Sequence, residues 1–291
     1  MKIATAAYPL DWLDSWAQYE DKLAHWVSDA SKQGAQLLVF PEYGAMELST
    51  LDGAETAGDL ERSIHAVSDR MRHAAGIHRR LAQEFETYIL GASAPVWDGS
   101  GRPVNRAVLY APDGRYDHQD KQIMTRFERE TWDIAPGGPL KLFDTALGKI
   151  GVLICYDSEF PLLGRALQQA DLILVPSCTE ALSGYWRVRI GAMSRALETQ
   201  CVTVMSSLVG TYDWSEAVDV NTGAGGVFGP PDVGFPPNGV LSEGGLNEAG
   251  WTYAEVDLSA IANVRANGHV LNRAHWAEQT PRVDSVTICS L

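Results

Sequence analysis

Residues 149–161 read KIGVLICYDSEFP, and this stretch indicates the class of fold. Its apolar, β-branched first half predicts a strand over 149–154, which runs directly into Cys155. A polar turn and Pro161 follow, and the next residues predict a helix over 160–169. A strand followed at once by a helix is typical of α/β proteins, in which chemistry gathers at the carboxyl ends of strands. The thiol of Cys155 therefore lies where an active site is expected.

Strand and helix patterns alternate along most of the chain. Short apolar runs predict further strands over 3–7, 36–40, 87–92, 172–175, 202–205 and 251–256. Apolar residues at helical spacing predict helices over 16–30, 60–75, 186–197 and 259–267. The turn PDGR at 112–115 predicts a hairpin between strands 104–111 and 116–120. The expected fold is α/β, with hairpins that make the sheets mixed.

The connections between these elements carry fewer signals. Residues 43–58 are expected to form an irregular loop, and Asp59 is placed to cap the helix that follows. No low-complexity linker and no repeat divides the sequence. We therefore predict a single domain over residues 1–291, with 268–291 as a C-terminal tail that packs on another surface.

The composition is that of a globular protein with a sizeable core. Hydrophobic residues make up 45% of the 291 residues and charged residues 21%, with a net charge of −14. Such a charge repels nucleic acid and anionic membranes, which excludes both as expected partners. No run approaches the roughly 18 apolar residues of a membrane span. The four cysteines contain no C-x-x-C pair, so we expect reduced thiols and a cytoplasmic protein.

Two charged residues occupy positions similar to that of Cys155. Glu42 follows the strand at 36–40 and a proline, and Lys121 follows the strand at 116–120. A carboxylate can activate a thiol, and a lysine near a developing oxyanion is worth roughly 3 kcal/mol. Each residue alone has an ordinary structural interpretation, but the three together are the parts of an acyl-transfer site. Cys178 also follows a strand and is a candidate neighbour of that site.

Histidines and metal ligands do not complete such a site. His25, His65 and His73 lie off the apolar stripes of their helices and are expected at the surface. No histidine is flanked in a way that marks it as a base for the thiol. Metal-ligand spacing is lacking too, and the glycines at 223–226 do not form a phosphate-binding G-x-G-x-x-G motif. We expect neither a metal nor a cofactor.

Three motifs in order resemble the nitrilase superfamily of carbon–nitrogen hydrolases. They are Phe40-Pro41-Glu42, then Lys121 followed by Glu130 and Pro136-Gly137, then Cys155-Tyr156-Asp157. The resemblance runs from about residue 1 to about residue 260. It implies a Glu–Lys–Cys triad on a four-layer α-β-β-α sandwich with two mixed sheets.

The resemblance also implies a role for each residue. Cys155 is the nucleophile, and Glu42 takes its proton and later activates water. Lys121 stabilises the tetrahedral intermediates together with the backbone N–H of Tyr156. A second glutamate supports the lysine or orients the substrate; Glu130 is the better match to its position, and Glu128 is the competitor.

Assembly and one departure follow from the same resemblance. Members usually pair through helices near the nucleophile, so we expect a homodimer or larger homo-oligomer that uses the helices after Pro161 and around 186–197.

The family's late turn is replaced by a longer, proline-rich stretch, GPPDVGFPPNG at 229–239. The substrate of the well-studied branches therefore does not carry over to this chain.

Residues just past the motifs are expected to line the substrate pocket. Together with Tyr156, the candidates are Tyr43, Glu47, Arg126, Trp132, Glu159, Thr179, Glu180 and Trp186. Arg126 would bind a substrate carboxylate, whereas Glu180 would pair with a substrate amine. The expected activity is hydrolysis of a small linear amide through a cysteine thioester. The alternatives are a nitrilase that uses the same triad and a non-catalytic binding member of the fold.

Overall fold

The structure is a computed structural model that describes residues 1–97, 101–283 and 286–291. The strands are β1 Lys2–Pro9, β2 Leu37–Val39, β3 Tyr88–Leu90, β4 Ala94–Val96, β5 Val104–Tyr110, β6 Tyr116–Asp120, β7 Leu142–Thr145, β8 Gly148–Val152, β9 Leu172–Ser177, β10 Val202–Thr211, β11 Val220–Asn221, β12 Gly226–Phe228, β13 Val240–Glu243 and β14 Gly250–Glu255. The α-helices are α1 Trp16–Lys32, α2 Ala54–Ala57, α3 Leu60–Glu84, α4 Arg126–Glu130, α5 Pro161–Ala166, α6 Leu182–Thr199, α7 Leu258–Asn267 and α8 Asn272–His275. Short 3-10 helices cover Gly44–Asp52, Cys155–Glu159 and Trp276–Arg282.

The strands form one hydrogen-bonded path that divides into two halves at β1 and β10. The path runs β4-β5-β3-β2-β1-β10-β9-β8-β7. Residues 2–7 of β1 pair antiparallel with β14, whereas residues 7–9 pair parallel with β10. In the same way β10 pairs with both β9 and β12, and β12 continues to β13. Each half combines parallel and antiparallel strands, as expected of two mixed sheets.

The two halves face each other across a buried apolar core. Ile3 and Leu37 of the first half belong to the same cluster as Val152 of the second half. Side chains alternate between the faces of a strand, so Leu38 points the other way and joins a cluster with Leu23 of α1 and residues of α3. On the far side, α6 packs against β9 and β10. This order of helix, sheet, sheet and helix confirms the predicted α-β-β-α sandwich.

Local predictions agree with the structure except in two segments. Asp59 caps α3 by accepting the N–H of Arg62 at 2.8 Å, as predicted. The loop expected at 43–58 is instead a 3-10 helix and α2, because buried backbone groups must be satisfied internally; the Thr50 hydroxyl, for example, accepts the N–H of Leu13. The helix expected over 160–169 ends at Ala166, since a turn at 167–170 leads directly into β9.

The first part of the expected tail contacts the body of the protein. The N–H of Arg273 donates to Gln200 Oε1 at 3.2 Å, and Arg165 donates to the hydroxyl of Thr280 at 3.1 Å. Residues 284 and 285 of that tail lie outside the described residues. In the part of the chain that the structure describes, no helix combines the length and the apolar character needed to cross a membrane.

Candidate active site

The three residues of the predicted triad lie together where the two halves of the sheet face each other, just beyond the ends of their strands. Glu42, Lys121 and Cys155 follow the carboxyl ends of β2, β6 and β8. They are 1%, 1% and 4% exposed. Lys121 Nζ donates to Glu42 Oε1 at 2.7 Å, and the Glu42 carboxylate is near enough to the Cys155 thiol for its charge to raise the pKa of that thiol. Cys155 Sγ also lies 3.7 Å from the carbonyl oxygen of Cys178, which follows β9. The structure therefore brings the three residues together in one buried cluster, with Glu42 in direct contact with Lys121 and joined to Cys155 through the backbone of Cys178.

The turn that carries Cys155 has an unusual backbone and a carboxylate that fixes it. Cys155 has φ of 49°, in the left-handed region that costs a non-glycine residue roughly 1–3 kcal/mol. Asp157 accepts the N–H groups of Gln122 and Ile123, at 2.9–3.1 Å, and that of Ile154 at 3.3 Å. Asp157 thus ties the segment after Lys121 to the nucleophile turn.

Gly137 allows a loop to approach the lysine segment closely. A Cβ at position 137 would overlap Asp120 Cβ and would lie 3.1 Å from the carbonyl oxygen of Lys121. Without that atom, the N–H of Gly137 donates to the same carbonyl at 2.8 Å. The glycine in the second motif therefore supports the position of Lys121 through the backbone.

The Glu42 carboxylate is held on both oxygens. Oε1 accepts hydrogen bonds from Lys121 and from Asn105 Nδ2, the latter at 2.9 Å, and Oε2 accepts the N–H of Cys178 at 3.0 Å. Burial raises the pKa of Glu42 above its usual range, although the charge of Lys121 opposes the shift. A carboxylate whose pKa is moved toward neutral pH is a better general base than a solvated one.

The glutamate that contacts Lys121, besides Glu42, is Glu128. The prediction that Glu130 is this second glutamate was wrong. Lys121 Nζ donates to Glu128 Oε2 at 2.6 Å, and Glu128 is 2% exposed. The side chain of Glu130 is 56% exposed and pairs with Arg126, itself 87% exposed. Thr125 caps α4 in a capping box with Glu128, which turns position 128 inward and positions 126 and 130 outward.

Charges in the site oppose the effect of burial on the pKa values of Lys121 and Glu128 and add to it at Cys155. Burial by itself would lower the pKa of Lys121, but the charges of Glu128 and Glu42 hold it well above the usual value. Burial also disfavours ionised Glu128, yet Lys121 and Tyr43 hold the pKa of Glu128 below its usual range. Burial and the charge of Glu42 raise the pKa of the Cys155 thiol well above its usual value. The thiol is therefore protonated at rest and needs a base to become a nucleophile.

The two glutamates of α4 allow a matched test. Replacing Glu128 by glutamine removes the charge beside Lys121, and a lysine displaced by about 1 Å costs about 100-fold in rate. We expect Glu128→Gln to lower kcat/KM by about that factor and Glu130→Gln to change it less than twofold. Equal effects in steady-state kinetics of the two variants would contradict the assignment of Glu128.

A cavity of about 460 Å³ opens above these residues. Most of the predicted pocket residues line it: Tyr43, Trp132, Tyr156, Glu159, Thr179 and Glu180. Arg126 does not, because it lies on the outer face of α4. Glu47 is buried elsewhere and accepts hydrogen bonds from Tyr8 at 2.8 Å and Lys22 at 2.6 Å. Trp186 is half exposed on α6, and its neighbour Arg187 reaches the cavity instead.

Several cavity residues were not predicted from the sequence. They include Phe127, Arg187, Glu216, Val218, Asp219 and Asn221. Glu216, Val218 and Asp219 come from the connection between β10 and β11, and Asn221 lies on β11. The sequence shows no periodicity there, so no local signal places these four residues at the site. Glu128 did have a signal, since Thr125 and Glu128 have the spacing of a capping box.

Among the described residues, no group of three or more His, Cys, Asp and Glu side chains could hold a metal ion.

Residues 2–266 match the family model described as carbon-nitrogen hydrolase. The probable hydrolase YhcX of Bacillus subtilis (strain 168) is 32% identical over 273 residues, which cover 93% of this chain and 52% of YhcX. The chain thus spans about half the length of YhcX. The omega-amidase NIT2 of Bos taurus is 26% identical over 251 residues, 82% of this chain and 83% of its own length. The bifunctional nitrilase/nitrile hydratase NIT4 of Oryza sativa subsp. japonica is 28% identical over 290 residues, 92% and 78% of the two lengths.

Solved structures show the same fold. An amidase from Nesterenkonia sp. AN1, in a form with acrylamide added to its active-site cysteine, superimposes with a TM-score of 0.69 at 24% identity. The match covers 91% of this chain and 97% of that one.

Proposed function

Because the chain belongs to the carbon-nitrogen hydrolase family, we propose that it cleaves the C–N bond of a small linear amide through a thioester on Cys155. The observation that carries this proposal is the buried contact of Glu42 with Lys121, beside the Cys155 thiol at the base of the cavity. A thiol, a base and a fixed cation are the groups that acyl transfer requires.

The reaction proceeds in two acyl transfers. Glu42 takes the proton from Cys155 Sγ, and the sulfur attacks the amide carbonyl carbon to form a C–S bond. The oxyanion that develops is stabilised by the Lys121 ammonium and the backbone N–H of Tyr156. Glu42 returns the proton to the leaving nitrogen, the C–N bond breaks, and ammonia or an amine departs.

Hydrolysis of the thioester uses the same groups again. Glu42 takes a proton from water, and the water oxygen attacks the thioester carbonyl carbon. The second oxyanion collapses, the C–S bond breaks, and the proton returns from Glu42 to the Cys155 sulfur. The acid is released and the thiol is restored. Burial raises the pKa of Glu42, which makes it a stronger base than a solvated carboxylate.

The charges of the cavity favour an amide without a carboxylate at its far end. Glu180, the predicted partner for a substrate amine, lines the cavity, whereas Arg126, the predicted carboxylate binder, does not. Glu159, Glu216 and Asp219 add further carboxylates to the lining. Arg187 is a cation there, and it lies 3.5 Å from Glu159, which offsets its charge. We expect a neutral or cationic amide to be preferred.

The second candidate is a nitrilase, which the similarity to the rice enzyme favours. A nitrile carbon would be attacked by the same thiol, and water addition would again release an acid and ammonia. A purely structural or binding protein is disfavoured, because it has no need of a thiol, a base and a lysine buried in contact.

The activity is tested by incubating the protein with pooled amides and nitriles of different terminal charge. Mass spectrometry should find an acyl group on Cys155, and product analysis should show acid and ammonia or amine from an amide. Acid formed only from nitriles would favour the second candidate. A Cys155 that acquires no acyl group from any compound, and that reacts with iodoacetamide no faster than Cys178, would contradict both.

We also propose that the protein is a homodimer or larger homo-oligomer through α5 and α6. Leu182, Trp186 and Ile190 recur every four residues on α6 and are 47%, 47% and 61% exposed. Leu162 of α5 is 72% exposed. Burying this stripe against a second copy would remove it from water.

We further expect the protein to lie in the cytoplasm, where its free cysteines stay reduced.

The assembly is tested by Ile190→Asp. A charge in a buried interface is strongly unfavourable, so light scattering should find mainly single chains of 31.7 kDa for the variant and a multiple of that mass for the parent. The control is Tyr116→Asp, which changes an exposed aromatic residue of β6 and should keep the parent's mass. A parent that is already a single chain would contradict the proposal.

A further inference from the structure

A buried asparagine lies between the two glutamates of the site. Asn105 is on β5 and is fully buried. Its Nδ2 donates to Glu42 Oε1 at 2.9 Å and stands 3.5 Å from Glu128 Oε1. Its backbone carbonyl accepts the N–H of Lys121 at 2.9 Å. One residue therefore contacts the base, the second glutamate and the backbone of the lysine.

The orientation of this amide is determined by its neighbours. Reversing it would set Asn105 Oδ1 against Glu42 Oε1, and both atoms are acceptors while Glu42 is ionised. In the observed orientation Oδ1 is buried and has no hydrogen-bond partner among the described residues. A buried acceptor without a partner destabilises the fold, and an apolar residue of similar shape would avoid that loss. Stability alone therefore does not explain an asparagine at this position.

The hydrogen bonds accepted by the Glu42 carboxylate give a better explanation for an asparagine at position 105. Each carboxylate oxygen accepts about two hydrogen bonds. Oε1 already accepts two, from Lys121 and Asn105, whereas Oε2 accepts one, from the N–H of Cys178. Cys178 also contacts the thiol, because its carbonyl oxygen lies 3.7 Å from Cys155 Sγ, so the residue that binds Oε2 is the one beside the thiol.

We propose that Asn105 is a positioning residue for Glu42: its amide fills Oε1 and leaves Oε2 as the oxygen that takes the thiol proton. This rests on the proposed function, in which Glu42 is the base. Asn105 touches neither the thiol nor the cavity; it acts by fixing the carboxylate and by stabilising its ionised form. Without the amide, Glu42 would lose one donor and could rotate.

The test measures the rate of Cys155 alkylation by iodoacetamide as a function of pH, in the full-length protein and without any substrate. The rate should rise with pH as Glu42 ionises. In Asn105→Leu the ionised carboxylate loses a donor, so the midpoint of this rise should move to higher pH by about one unit. In Asn105→Asp the shift should be at least as large, because a third carboxylate then faces Glu42.

The control is Gln119→Leu. Gln119 is a buried amide on β6, opposite Ala107, and its side chain contacts the backbone of Asp120 and Lys141. Its loss affects packing of the same hairpin but no donor to Glu42, so the midpoint should stay at the parent's value even if the variant unfolds at lower temperature.

Each outcome separates this proposal from the proposed function. If Cys155 of the parent protein reacts no faster than Cys178 at any pH, the proposed function is contradicted, and the proposed role of Asn105 is contradicted with it. A reactive parent whose midpoint is unchanged in Asn105→Leu and Asn105→Asp, or equally shifted in Gln119→Leu, overturns only the positioning role. If neither Asn105 variant folds, Asn105 is a structural residue and the proposal is likewise overturned.

Discussion

Cys155→Ala is expected to abolish turnover, with kcat reduced by about 10⁴- to 10⁶-fold. In the proposed reaction this side chain supplies the sulfur that forms the thioester, and alanine offers no atom to replace it. Glu42 and Lys121 are oriented toward this position, and without the thiol they can at most activate water for direct attack on the amide. Steady-state kinetics on an accepted amide measure the loss.

The matched control for this variant is Cys178→Ala. Cys178 lines the same cavity, and its thiol donates to Asn221 Oδ1 at 3.1 Å. Its contact with Glu42 uses the backbone N–H, which alanine retains. We expect less than a tenfold loss of kcat/KM. Full turnover by Cys155→Ala, or an equal loss in both variants, would show that Cys155 is not the nucleophile.

Lys121→Met is expected to cause a large loss of stability as well as of activity. Lys121 is 1% exposed and is the cation between Glu42 and Glu128. Removing one partner of a buried ion pair costs about 3–5 kcal/mol, because the remaining charges stay buried without compensation. Loss of an oxyanion donor should lower kcat by about 10²- to 10³-fold. Urea denaturation and kinetics measure the two effects.

The pH dependence of this variant follows from the two carboxylates. Burial already raises the pKa of Glu42, and without the lysine both glutamates gain protons more readily in the folded state than in the unfolded state. A folded state that binds more protons is stabilised as the pH falls. The stability deficit of Lys121→Met should therefore be smaller at about pH 5 than at about pH 8.

A surface lysine provides the comparison. Lys141 pairs with Asp117 at 2.8 Å, and its side chain is 34% exposed. Exposed pairs contribute about 0–1 kcal/mol, so Lys141→Met should lower the free energy of unfolding by no more than that at either pH. If Lys121→Met were no less stable than Lys141→Met, the charges at the site would not be buried in the way described.

Local sequence was a sufficient guide wherever an element has a regular pattern. The strand before Cys155 and the strand before Glu42 are continuous apolar runs, and each places the next polar residue at the carboxyl end of a buried strand. That the three residues meet was implied by the resemblance of the motifs to the nitrilase superfamily and not by strand direction, since β6, which precedes Lys121, is antiparallel to β5. Asp59 is a further case, because a helix cap is set by its immediate neighbours.

The choice between Glu128 and Glu130 shows where that guide failed. Both residues follow Lys121 on one short helix, and their distance from a later motif favoured Glu130. The inward face of α4 is set instead by the Thr125 cap and by contacts of Glu128 with Lys121 and Tyr43. Helical neighbours two positions apart point in different directions, so an error of two residues exchanges a buried charge for an exposed one.

By itself, the sequence determined the α/β class, the order of its strands and helices, and the three residues at the strand ends. These follow from patterns over a few residues, which depend on local burial and backbone geometry. Only the tertiary structure decided which glutamate faces Lys121, that Asn105 holds Glu42, and which side chains from α6 and from the β10–β11 connection close the cavity. The contacts of Glu128 with Lys121 and of Asn105 with Glu42 join residues 7 and 63 positions apart, and packing rather than local pattern sets them.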